Sequence, residues 1–168
     1  MTEAKLEKPK ILVINGPNLN LLGSREPDKY GKESLESLVN KLRETAKRLN
    51  IELEHFQSNH EGEIVEKIQQ SKGNYHGIII NPGAYTHTSV AIRDALIFAE
   101  LPAVEVHISN VYKRENFRQI SYISDVVDGK IVGLGTEGYV LALFYLASKL
   151  KKINLYAMLE KVHDSQSS

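Results

Sequence analysis

The sequence predicts an α/β fold built on a five-stranded parallel sheet, and three observations lead there. Short apolar runs alternate with amphipathic stretches along most of the 168 residues. Three of the runs are nearly continuous β-branched segments, the pattern of strands covered on both faces. Polar side chains able to do chemistry follow the first, third and fourth runs, where open α/β sheets bind their ligands.

The runs are Ile11–Ile14, Ile51–Phe56, Gly77–Ile80, Ala103–Ile108 and Lys130–Val132. After the first comes a long connection, Asn15 to Gly31, with three glycines and two prolines. It reads as neither strand nor helix, and its length suits a lid or catalytic loop. The first helix has Leu35, Leu38, Val39, Leu42, Ala46 and Leu49 at three- and four-residue steps. Ser34 is placed to cap it and Asn50 to end it. The second spans about Glu61 to Ser71, with Glu61 and Glu63 in its first turn and Gly73 stopping it. The third starts at Thr88, capped by Thr86 or Thr88. Its apolar residues Val90, Ala91, Ile92, Ala95, Leu96, Ile97 and Phe98 cover more than one side, which points to a subunit contact. The last starts near Thr136 and carries Leu141, Phe144, Leu146 and Leu150.

Right-handed crossovers between five such strands suggest the order 2-1-3-4-5, a flavodoxin-like three-layer sandwich. The chain reads as a single domain, 1–168. Residues 1–9 form a tail, 10–150 the catalytic core and 151–168 an extension whose polar end, from His163, frays. Formal net charge is zero, so no overall field draws it to nucleic acid or membrane. The absence of cysteine excludes thiolate catalysis and disulfides. No apolar run reaches 18 residues, and the N-terminus is not a signal peptide; a cytoplasmic location is the expectation. The six histidines show no tight metal-ligand spacing, and the glycine motifs of nucleotide sites are missing.

Four groupings of residues carry chemistry. Arg25 and Tyr30 share the long connection; a guanidinium beside a phenol favours the phenolate, which then serves as a base. Asn81 to Ser89 turns through Pro82 and Gly83 into a helix N-terminus, with Asn81 and His87 as donors and free N–H groups suited to a carboxylate. Glu105 and His107, two apart on a strand, lie side by side, so Glu105 can orient His107 as a general acid, with Ser109 nearby for an anionic group. Arg114 and Arg118, four apart on a helical turn, share a face and make either a carboxylate clamp or a solvated basic patch.

Taken together these residues resemble the type II 3-dehydroquinate dehydratases. The pieces that carry the resemblance are Gly16-Pro17-Asn18-Leu19-Asn20, Leu22 to Pro27, Tyr30-Gly31, Asn81 to Asp94, Glu105 to Asn110 and Gly133-Leu134-Gly135, in family order from about Lys10 to Leu150. The resemblance implies reversible loss of water from 3-dehydroquinate to give 3-dehydroshikimate, in the shikimate route to chorismate. It implies no cofactor, no metal and a homododecamer, a tetramer of trimers. It gives Tyr30 the removal of the C2 proton, Arg25 the lowering of the tyrosine pKa, and Asn18 a water held against the enolate oxygen. His107, braced by Glu105, protonates the leaving C1 hydroxyl. Asn81, His87, Ile108, Ser109 and Arg118 bind hydroxyls and carboxylate, and Asp94 enters from across a subunit boundary. Departures from the family pattern fall at Tyr112-Lys113, Asn116, Gln119-Ile120 and the missing proline of Ser124-Asp125; they bear on Arg114 and the subunit contacts. A flavodoxin-like module that only carries a flavin or phosphate is the rival reading, and a shell-building subunit a third. The first would not need Tyr30 or the Glu105–His107 pair, and a monomer in solution would remove the second.

Overall fold

The computed structural model describes residues 8–24, 28 and 32–164. Its five strands are β1 (Lys10–Asn15), β2 (Glu52–Gln57), β3 (Gly77–Asn81), β4 (Ala103–His107) and β5 (Gly129–Val132). All pairings are parallel, in the order β2-β1-β3-β4-β5, as the alternation of strand and helix patterns predicts. Among the described residues lie helices α1 (Leu35–Arg48), α2 (Glu61–Ser71), α3 (Val90–Ala99), α4 (Glu137–Lys151) and α5 (Leu155–Asp164).

Two apolar cores flank the sheet. Ile11, Val13, Ile79, Val104 and Val106 pack on one side with Leu38 and Leu42 of α1 and Leu143 and Leu146 of α4. Leu12, Ile14, Ile78 and Ile80 pack on the other with Ile64 and Ile68 of α2 and Ile92 and Leu96 of α3. Adjacent strand residues face opposite sides, so both faces demand apolar residues and the central strands read as unbroken runs. Each fully buried isoleucine is worth roughly 1.5–3 kcal/mol against an exposed one.

The helix ends follow local chemistry, with corrections to the sequence reading. Ser34 caps α1 by accepting a hydrogen bond from the Ser37 N–H, and Asn50 beyond its end takes φ 54°. The cap of α3 is Ser89, not Thr86 or Thr88: its Oγ accepts from Ile92 N–H at 2.9 Å and donates to Glu61 of α2. Thr86 is instead fully buried and turned toward β4. The long connection after β1 contains a 3-10 turn at Leu19–Leu21. Arg114 and Arg118 do not share one helical turn; separate 3-10 turns, Val111–Lys113 and Asn116–Gln119, place them. Beyond residue 150 the chain forms α5, which reaches Asp164 past the expected fraying point at His163 and is anchored by Met158 in the α1/α4 core. On α3, Val90, Ile97 and Phe98 are about half exposed, the side of the helix that the core leaves uncovered.

The loops after β1 and β3 are locked together at Gly16. Its N–H donates to the Asn81 carbonyl at 2.8 Å, and a Cβ built there would lie 2.3 Å from the Pro82 oxygen. That contact is backbone, so no rotamer change relieves it. Gly16→Ala is expected to cost about 1–3 kcal/mol in urea unfolding, the usual range for overpacking. Turnover should fall with it, because Asn18 and Asn81 move with these loops.

Candidate active site

The carboxyl ends of β1, β3 and β4 converge on a cavity of about 280 Å³. It is lined by Asn18, Asn81, His87, His107, Ile108, Ser109, Arg114 and Arg118, with Pro17, Leu19 and Leu22 closing one side. This is the topological switch point, where β1 has β2 on one side and β3 on the other.

Glu105 and His107 occupy alternate positions of β4 on the α2/α3 side of the sheet and meet at 2.7 Å, Oε1 to Nε2. Glu105 is fully buried and His107 only 6% exposed. A buried carboxylate needs donors, and Glu105 has four. His107 Nε2, Thr86 Oγ1 at 2.6 Å and Ser121 Oγ at 2.8 Å donate to Oε1, and Ser124 Oγ donates to Oε2. Burial alone would push the carboxyl up; the bonds from His107, Ser124 and Thr86 outweigh it and hold it down to about 2, against 4.5 unperturbed. Glu105 is therefore ionised and acts only as an acceptor. The proton between the two groups sits on Nε2 of His107, and Nδ1 is the nitrogen left to exchange a proton.

This depression has a stability consequence. A carboxyl whose pKa is lower folded than unfolded stabilises the fold above the unfolded value, and that stability is lost as pH falls from about 4.5 toward 2. Urea unfolding across this window should show the wild type losing up to about 3 kcal/mol that Glu105→Gln does not lose.

His87 stacks near His107, with ring centroids 6.5 Å apart and planes 18° from parallel. Its Nδ1 donates to the Ile120 carbonyl at 2.7 Å. Burial lowers the imidazole's pKa, opposed by that carbonyl bond and helped by the nearby His107. The neutral ring keeps an acceptor at Nε2. His87 thus offers the cavity an acceptor rather than the donor expected from sequence, which suits a ligand hydroxyl.

Asn18 adopts the left-handed conformation, φ 68°, which asparagine tolerates better than most residues. Asn59 beyond β2 holds it there: Asn59 Oδ1 accepts from Asn18 N–H at 3.0 Å and from Gln57 Nε2 at 3.2 Å. Asn81 lies 3% exposed at the end of β3, its Oδ1 accepting from Gly83 N–H at 3.1 Å. Arg118 pairs with Glu115 at 2.7 Å, and Arg114 Nη1 reaches Ser109 Oγ at 3.5 Å; both guanidiniums line the cavity, favouring the clamp over the solvated patch.

The structure thus brings together Asn18, Asn81, Glu105, His107, His87, Ile108, Ser109 and Arg118. Asp94 is exposed on α3 and does not line the cavity. Arg25 and Tyr30 lie outside the described residues. The flanks of their segment adjoin the site: Leu22 lines the cavity, Lys32 lines a recess beside it, and a Cβ on Gly23 would lie 2.9 Å from the Lys32 carbonyl. Sequence reasoning did not reach Ser121 and Ser124, because serines donating across a fold leave no local pattern. The departure at Asp125 is accounted for by a two-pronged ion pair with Arg93 of α3, Nη2 to Oδ2 at 2.9 Å. Among the described residues no group of three or more His, Cys, Asp or Glu is arranged to hold a metal ion.

The family model described as Dehydroquinase class II matches residues 9–147. The chain belongs to that family. It is 54% identical to 3-dehydroquinate dehydratase 2 of Pseudomonas putida over 145 residues, covering 86% of this chain and 97% of the relative. It is 55% identical to the catabolic 3-dehydroquinase of Aspergillus clavatus over 142 residues, 84% of this chain and 95% of that one. The crystal structure of type II dehydroquinase from Butyrivibrio crossotus aligns with a TM-score of 0.81 at 56% identity, covering 83% of this chain and 97% of the other. All the cavity residues fall within the class II dehydroquinase match, whereas α5 lies beyond it.

Proposed function

We propose that this chain catalyses the reversible dehydration of 3-dehydroquinate to 3-dehydroshikimate through an enolate, the third step of the shikimate route. The observation that carries the reading is the ionised, fully buried Glu105 holding the Nε2–H of His107 at the edge of a polar cavity. Such a pair has no use in a module that only carries a flavin or phosphate. It suits a reaction in which an oxygen leaves with a proton.

In this reading the Tyr30 phenolate, favoured by Arg25, takes the proton from C2, and the bonding pair moves onto the C3 ketone oxygen. Asn18 and a water it holds stabilise that enolate. The enolate then collapses, C1=C2 forms, and the C1 hydroxyl leaves as water, taking the Nδ1 proton of a doubly protonated His107 whose charge the Glu105 carboxylate balances. Arg118, Ser109 and the N–H of Ile108 hold the carboxylate, while Asn81 and His87 bind ring hydroxyls, His87 as acceptor. The apolar, half-exposed face of α3 and the exposed Asp94 on that helix support a homododecamer in which Asp94 completes a neighbour's site. We further propose a single domain, with 10–150 as catalytic core and 151–168 as extension, in the cytoplasm. Among the described residues no helix is long and apolar enough to cross a membrane.

The test is an ultraviolet assay of the purified protein with 3-dehydroquinate. A rise in absorbance from the conjugated enone is the expected result. Folded protein that leaves the spectrum unchanged would overturn the proposal.

A further inference from the structure

We infer that Tyr139 of α4 is a positioning residue: by joining the carboxamides of Asn15 and Asn81 it holds the Asn81 amide at the cavity in the orientation that the Gly83 N–H selects. Tyr139 is fully buried beneath the switch point, on the sheet face opposite the Glu105–His107 pair. Asn15 and Asn81 are register partners at the ends of β1 and β3, buried to 0% and 3% exposure. Tyr139 lies far from both in sequence yet touches each. Its O–H donates to Asn15 Oδ1 at 2.6 Å, and its oxygen accepts from Asn81 Nδ2 at 2.8 Å. Asn15 Nδ2 continues the chain to His55 Nε2 on β2 at 3.0 Å.

The chain of bonds has one consistent direction. The Gly83 N–H can only donate, so Asn81 must present Oδ1 to it. Nδ2 then faces Tyr139, whose oxygen must accept and whose hydrogen must go to Asn15 Oδ1. That leaves Asn15 Nδ2 as donor to His55, whose ring is neutral at pH 7 because burial, reinforced by Arg43, lowers its pKa to about 4. Burial likewise raises the Tyr139 phenol, against a small opposing effect of the Asn81 bond, so it stays a neutral donor. Among the described residues one hydrogen of Asn81 Nδ2 is used, in the bond to Tyr139, and the other is assigned to a ligand oxygen. Reversed, the amide would set its NH₂ against the Gly83 N–H, two donors facing each other. A buried polar network that is fully satisfied specifies one arrangement. Here that arrangement sets a binding group of the cavity through three residues that do not line it.

The inference rests on the proposed dehydration, so its assay is turnover of 3-dehydroquinate, with wild type as the check on that reading. Tyr139→Phe keeps the ring and removes both hydroxyl bonds, to Asn15 and from Asn81. It should raise KM about five- to ten-fold with kcat within about three-fold, the effect of loosening a ground-state contact. In an Asn81→Ala background the same change should have no further effect on kcat/KM, because Tyr139 acts through that amide. A purely structural tyrosine would move the unfolding midpoint while leaving KM and the cycle unaffected. Should Tyr139→Phe not fold, the same cycle run with His55→Leu, at the partly buried end of the chain of bonds, expects a smaller KM increase that likewise vanishes with Asn81→Ala. Multiplicative effects in either cycle, or an unchanged KM in either single variant, would overturn the inference while wild-type turnover leaves the function intact. A wild type without turnover would overturn both.

Discussion

His107→Gln should lower kcat by about 10²–10⁴-fold, the usual contribution of a positioned general acid, while the fold persists. The expectation follows from the geometry of β4. Glu105 holds Nε2, so the imidazole has one nitrogen for the leaving hydroxyl, and an amide cannot deliver a proton in its place. Glu105 keeps Thr86, Ser121 and Ser124 as donors, so the carboxylate left behind is still hydrogen-bonded and the site does not collapse. Steady-state kinetics with circular dichroism as the folding control measures this. A variant within ten-fold of wild-type kcat would remove His107 from the chemistry.

Tyr30→Phe should abolish measurable enone formation, a loss at least as large as that for His107, because no other residue is assigned to take the C2 proton. An unperturbed phenol has a pKa of about 10 and is a poor base at neutral pH. The assignment therefore depends on Arg25, and Arg25→Ala is expected to shift the acidic, rising limb of the kcat/KM profile to higher pH. Near-normal turnover by Tyr30→Phe would refute the base assignment, and an unmoved profile for Arg25→Ala would refute the pKa-lowering role.

The fold was largely legible in the chain because its signals are local or periodic. Runs such as Ile78-Ile79-Ile80 have the pattern expected of strands covered on both faces, and the Glu61–Ser71 helix carries its charge bias and its glycine stop in sequence. Glu105 and His107 were legible as a pair because strand geometry places i and i+2 on one side. What was not legible depends on contacts between distant segments. Thr86 carries the composition of a helix cap, but the buried carboxylate of Glu105 competes for its hydroxyl, and Ser89 takes the cap. The donor role expected of His87 fails because the Ile120 carbonyl, 33 residues away, claims its Nδ1–H. Arg114 and Arg118 looked like neighbours on one turn, but Arg114 itself leaves the helical conformation, with φ −109° and ψ −164°. Helix α5 is marked only by a short amphipathic stretch whose anchor, Met158, is a residue with no positional signature.

The most direct measurement is hydrogen exchange at C2 of 3-dehydroquinate in deuterium oxide, followed by NMR beside product formation. The account separates the base that forms the enolate from the acid that releases water. It predicts that His107→Gln still exchanges the C2 hydrogen with solvent while making little product, and that Tyr30→Phe does neither. Loss of exchange together with product in His107→Gln, or exchange persisting in Tyr30→Phe, would contradict it.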